Sequence, residues 1–138
     1  MSAVKPIILA LVLCDQIIRE VGTNKLSLIG TFNGIYAASF PINHPSLWVY
    51  IAITEGRGTV PCKLRMVSMD NSVVFDLPGQ IEFGGPATVG ELVFQLQQLR
   101  FENPGVYSIE FWAGDDLLAS RRVNVQMSEQ RPESTHNA

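Results

Sequence analysis

The sequence predicts an all-β domain, an antiparallel sandwich of two packed sheets with about eight strands. Three observations carry this prediction. Clusters of Gly, Pro, Asn and Asp punctuate the chain every ~8–12 residues. Between them lie runs rich in Val, Ile, Leu, Phe and Tyr that alternate with a period of two, as a half-buried strand requires. Of the 138 residues, 46% are apolar and only 17% are charged, so there is ample apolar surface to offset the ordering entropy of one domain.

The first run, 7–14, is apolar in both phases, which suits a strand covered on both sides. A secretory leader ending at Cys14 is the competing reading. It is opposed by the eight-residue length of the run, by a single Lys5 ahead of it, by Pro6 at its start, and by Leu13 where a small residue is needed. The run is also too short to cross a membrane as a helix. Segment 15–22 predicts one short helix: Asp15 can cap it, Ile17, Ile18 and Val21 recur at helical spacing, and Gly22 suits the position just past its end.

Strands are predicted over 26–36, 46–54, 60–69, 72–77, 89–101, 106–113 and 116–126. Alternation assigns their faces. In 46–54, Leu47, Val49, Ile51 and Ile53 point inward; in 60–69, Cys62, Leu64 and Met66 do, leaving Lys63 and Arg65 outside. In 106–113 the inward set is Tyr107, Ile109 and Phe111. Asp70-Asn71 and Gly114-Asp115 predict tight hairpin turns, because these residues tolerate positive φ. Residues 1–126 form the domain, and 127–138 lose all periodicity and read as a flexible polar tail.

Tyr107 follows the corner Asn103-Pro104-Gly105-Val106, an arrangement that resembles the tyrosine corner of immunoglobulin-like sandwiches, in which the hydroxyl bonds back to the backbone. The strand layout resembles an immunoglobulin-like Greek key as well: 7–14, 26–36, 46–54 and 60–69 take the places of strands A, B, C and C′, and 89–101, 106–113 and 116–126 those of E, F and G. Ile109 stands where antibody domains carry a cysteine, and Trp48 is out of phase with the core set of its strand. More closely, Cys14-Asp15, Leu28-Ile29-Gly30-Thr31-Phe32, Phe40-Pro41 and Pro104-Gly105-Val106-Tyr107 resemble an uncharacterised family of bacterial single-domain β-sandwich proteins. That resemblance implies a fold and no activity.

Catalytic patterns are absent. The two histidines are His44, in a Pro-bounded segment that reads as an exposed loop, and His136 in the tail; there is no nucleophile elbow and no packed Ser-His or Cys-His pair. Gly84-Gly85-Pro86 lacks the Lys and Ser/Thr of a phosphate loop and reads as a turn. Cys14 and Cys62 form no CxxC, so no zinc or thioredoxin-like motif arises. Asp70 and Asp115 fall at opposite ends of the sandwich when turns are counted, too far apart to share calcium. The same count places 15–25, 55–57 and 114–116 together at one end. No catalytic residue, metal or cofactor is therefore expected. A net charge of −3 argues against a nucleic-acid partner, and a cytoplasmic address is the default.

One feature exceeds what a core needs. If 46–54, 60–69, 106–113 and 116–126 share a sheet, Trp48 and Tyr50, Lys63 and Arg65, Glu110 and Trp112, and Leu118 and Arg122 occupy a single outer face. Aromatic residues and Arg at the centre of a polar rim are the composition of a binding surface. The sequence thus predicts a non-catalytic binding or assembly module that self-associates or docks a protein partner through this face. A small-ligand or glycan-binding domain that uses Trp48, Tyr50 and Trp112 is the alternative, and an enzyme is the least favoured class.

Overall fold

The computed structural model describes residues 5–85 and 87–128. Within them the chain forms nine strands and no helix: β1 (Ile7–Arg19), β2 (Leu26–Thr31), β3 (Gly34–Ala37), β4 (Ile42–Thr54), β5 (Gly58–Val67), β6 (Val73–Phe83), β7 (Gly90–Phe101), β8 (Gly105–Ala113) and β9 (Asp116–Met127). They make two sheets, a four-stranded β2-β1-β4-β7 (sheet I) and a five-stranded β3-β9-β8-β5-β6 (sheet II). All pairings are antiparallel except β3 with β9, which is parallel.

The alternation read from the sequence decides which side chains meet. Leu47, Val49, Ile51 and Ile53 from β4, Cys62, Leu64 and Met66 from β5, and Tyr107, Ile109 and Phe111 from β8 are all buried in one cluster. That cluster draws on both sheets, so their inner faces share a single core. The Tyr107 hydroxyl donates to the Asn103 carbonyl at 2.6 Å, the corner bond that the sequence predicts, and its ring stands edge-on to Phe101 at 5.1 Å.

The predicted helix over 15–22 is not formed. These residues continue β1, which pairs with β2 from Cys14↔Thr31 to Arg19↔Leu26. An isolated helix of two turns is marginal in water, whereas hairpin pairing satisfies the backbone at once. Gly22 and Asn24, at φ +95° and +64°, close that hairpin, and the Asp15 side chain lies against Gly30 instead of capping. Because β1 runs on, 20–25 lies at the end away from 55–57, next to Thr54, whose partner is Ile7 at the start of β1.

The single strand predicted over 26–36 breaks at Phe32-Asn33 into β2 and β3, which enter different sheets. β4 begins at Ile42, four residues before the predicted start, so His44 is a strand residue opposite Leu99 and not an exposed loop residue. Between Ile42 and Ile53 the β4–β7 register skips Pro45, which has no N–H to give. Gln98, at φ +54°, shifts the phase of β7 so that Leu96, Leu99 and Phe101 all reach the core. The hairpin turns at Asp70-Asn71 and Gly114-Asp115 form as predicted, with Asn71 and Gly114 at positive φ. Val67 pairs with Ser108 and Cys62 with Ala113, so those two turns lie at opposite ends of sheet II. Met127, assigned to the tail by the sequence reading, is the last residue of β9; residues 129–138 and Pro86 lie outside the described residues.

Candidate functional site

Each sheet has an outer face, and alternation fixes its composition. On sheet I the register aligns three rows across β1, β4 and β7: Ala10–Ala52–Glu91, Val12–Tyr50–Val93 and Cys14–Trp48–Gln95. Trp48, Tyr50, Ala10 and Val12 are half-buried, Ala52 is recessed at 6% exposure, and Val93 is exposed. Leu9 and Ile29 extend the apolar surface at either side, at 56% and 45% exposure. The three rows carry one charge, on Glu91, and its carboxylate accepts a short hydrogen bond from the Tyr50 hydroxyl. Burial, reinforced by the bond to Glu91 and its charge, pushes the Tyr50 phenol up to about 12.

The outer face of sheet II is different in kind. Lys63, Arg65, Glu110, Trp112 and Arg122 all lie there. The Lys63 ammonium sits 5.5 Å from the centre of the Trp112 ring, and the Trp112 indole donates to Glu110 at 3.0 Å. Arg65 pairs in register with Glu110 on one side and Asp76 on the other, with its Nε buried and without a hydrogen-bond partner. Arg122 stands opposite Ser108. This face is a ladder of alternating charges around one aromatic ring.

The eight residues predicted to share a face are therefore divided. β4 lies in sheet I and β8 in sheet II, so Trp48 and Tyr50 look out from one side of the molecule and Trp112 from the other, with the core between them. A platform of all three aromatics does not exist. The prediction failed because it placed 46–54 beside 106–113, whereas β4 pairs with β1 and β7. Leu118 is also displaced. A bulge sets Phe111 opposite Ala119 but Trp112 opposite Leu117, which leaves Leu118 as the extra residue, packed against the core.

Two residues of the sheet I face, Ala52 and Val93, were missed in the sequence, whereas Ala10 and Val12 belong to the second apolar phase of 7–14, which the sequence marks as covered. In β7 no phase separates Val93 from its inward neighbours Leu92 and Phe94. Arg121 was missed as well. Its Nη1 donates to the Leu11 carbonyl at 2.8 Å and its Nη2 to the Asn33 side-chain oxygen, linking β9 to β1 across the sheets.

Chemistry elsewhere is sparse. Cys14 and Cys62 are free and buried, and burial pushes both thiols above their ordinary range, the direction opposite to activation. His44 is half-buried against Phe32 at 6.3 Å between ring centres, with Nε2 buried and unpartnered. Among the described residues no three His, Cys, Asp or Glu side chains gather into a metal site. A cleft of about 610 Å³ opens between 68–74 and 100–107. Within it Arg100 is paired to Glu102 at 2.6 Å and the Ser68 hydroxyl is bonded to Asp70. Among the described residues no helix is long and apolar enough to cross a membrane.

Residues 9–126 match a family described as a family of unknown function, DUF6941. No curated protein matches the sequence. Among solved structures, the chain is similar to Bifidobacterium dentium β-glucuronidase complexed with coumarin-3-O-glucuronide, at 11% identity and a TM-score of 0.41, covering 86% of this chain and 17% of that one. A Kluyveromyces marxianus β-glucosidase is similar at 12% identity and a TM-score of 0.43, with 75% and 16% covered. A Listeria innocua β-glucosidase in complex with isofagomine is similar at 11% identity and a TM-score of 0.41, with 69% and 15% covered. The chain spans about a sixth of the length of these enzymes.

Proposed function

As the chain belongs to DUF6941, a family of unknown function, we propose its role from its surface: it is a non-catalytic docking module whose working face is the outer side of sheet I. The observation that carries this is the triple row around Tyr50. Trp48, Tyr50, Val12, Ala10, Ala52 and Val93 form an apolar patch across β1, β4 and the edge strand β7, with Glu91 and Gln95 flanking Val93 on β7. An aromatic centre with a polar margin is the make-up of protein interfaces, and one sheet face of a two-layer domain is otherwise expected to be polar.

The reading includes an immunoglobulin-like sandwich. β1-β4-β7 follows the order A-B-E and β9-β8-β5-β6 the order G-F-C-C′, with β2 added outside β1. In that lettering 46–54 belongs to strand B and not to strand C. The reading also includes a cytoplasmic address, which the free thiols of Cys14 and Cys62 support because they suit a reducing compartment.

Site-specific photocrosslinking in the native cells tests the docking reading. A photoreactive residue at position 93 is expected to give discrete protein adducts, and the same residue at Gln80, exposed on sheet II, only background. Equal background yields from both positions refute it.

A further inference from the structure

We infer that the occupant of this face is a second copy of the chain, stacked sheet to sheet about a two-fold axis that runs across the strands along the Val12–Tyr50–Val93 row. The inference rests on the docking reading above and adds the identity of the partner.

Self-complementarity carries it. A two-fold axis along the middle row reverses each strand over its own copy. The row Cys14–Trp48–Gln95 then faces the row Ala10–Ala52–Glu91. The largest side chain of the patch, Trp48, lies over the recessed Ala52 and its neighbour Ala10, so a protrusion meets a shallow place on both halves of the interface. Charge follows the same rule. Glu91, the one ionised group in the rows, faces the Gln95 amide of the other copy, which can donate to it, and not a second carboxylate. Within each copy the Tyr50 hydroxyl already donates to that carboxylate, so the carboxylate keeps hydrogen-bond donors when covered. Sheets pack in this aligned manner about 10 Å apart, rotated by about 30°.

Size sets the strength. Three strands at ~4.8 Å spacing and about seven residues at ~3.4 Å rise give a footprint on the order of 340 Å² per copy. That is below a standard interface of about 800 Å² per partner, so the dimer is expected to be weak and transient, populated toward the upper end of the concentration range tested.

Sedimentation velocity on the purified full chain, from about 1 to about 200 µM, reads the association. The wild type is expected to move from 15.2 kDa toward twice that mass as concentration rises. Trp48→Ala is expected to weaken association at least about 10-fold. Val93 lies on the axis row and therefore meets its own counterpart. It is exposed, so charging it does not threaten the fold. Val93→Glu alone and Val93→Lys alone are each expected to remain monomeric through repulsion, and an equimolar mixture of the two to recover the dimer. A wild type that is monomeric throughout, or a mixture that stays monomeric, overturns the second-copy assignment. A monomeric wild type with position-93 adducts to another protein removes this inference alone. A monomer without adducts removes the docking reading too.

Discussion

Replacing Tyr107 by phenylalanine removes one oxygen and leaves the buried ring in place. That oxygen donates to the Asn103 carbonyl at 2.6 Å, and while the ring is 6% exposed, Asn103 itself is exposed, so water can reach the carbonyl left behind. The loss is then that of one net hydrogen bond, about 0.5–1.5 kcal/mol. For a domain of this size each kcal/mol lowers Tm by roughly 3–5 °C. Tyr107→Ala also removes the ring and its edge-on contact with Phe101 at 5.1 Å, raising the expected loss to about 3–5 kcal/mol. Urea unfolding at constant m-value separates the two losses. If Tyr107→Phe unfolds within about 0.3 kcal/mol of the wild type, the corner bond contributes nothing and the argument from its geometry fails.

Four further outcomes follow from particular side chains. Burial holds the His44 imidazole below its ordinary pKa, outweighing the upward pulls of the Ser46 backbone and Asp15. The unfolded chain therefore takes up the proton first, stability is complete above pH ~6.5, and it declines as pH falls below that value; His44→Gln should flatten this acid limb in urea midpoints, and parallel limbs for both proteins would contradict it. The Tyr50 phenol, raised to about 12, ionises later folded than unfolded, so stability is complete below pH ~10 and is lost as pH rises toward the folded value. In ultraviolet titration Glu91→Gln should bring that phenol down toward its ordinary range. A Cβ at buried Gly56 would lie 2.2–2.6 Å from three atoms of the Phe83 ring, so Gly56→Ala is expected to cost about 2–3 kcal/mol, and less in a Phe83→Leu background. Arg121→Met should cost about 1–2 kcal/mol by leaving the Leu11 carbonyl unpaired, read in the same urea assay.

Legibility was uneven along the chain. The inward phases of 46–54, 60–69 and 106–113 and the corner at Tyr107 could be read directly, because each depends on residues within one run or one turn. The helix expected at 15–22 shows the limit of that method. Ile17, Ile18 and Val21 suit helical spacing, but 26–31 offers the same segment an antiparallel partner, and pairing overrides a weak local preference. The break at Phe32-Asn33 was equally hidden, since both halves of 26–36 carry strand-like residues. That break has the largest consequence: counting β2 and β3 as one strand moved 46–54 into the wrong sheet and joined Trp48 to Trp112.

Alternation alone determined that this chain is all-β, which side chains of three strands enter the core, and that both tryptophans point outward. These are properties of a period-two backbone and need no knowledge of neighbours. Only the tertiary structure decided which outward side chains share a surface, because strand adjacency is set by hydrogen bonds between segments far apart in sequence. It moved Trp48 and Tyr50 to the apolar face beside Val12 and Val93, and Trp112 to the charged ladder between Lys63 and Glu110. A single bulge in β9 has Leu118 as its extra residue and packs it against the core, while Ser120 and Arg122 keep their outward phase.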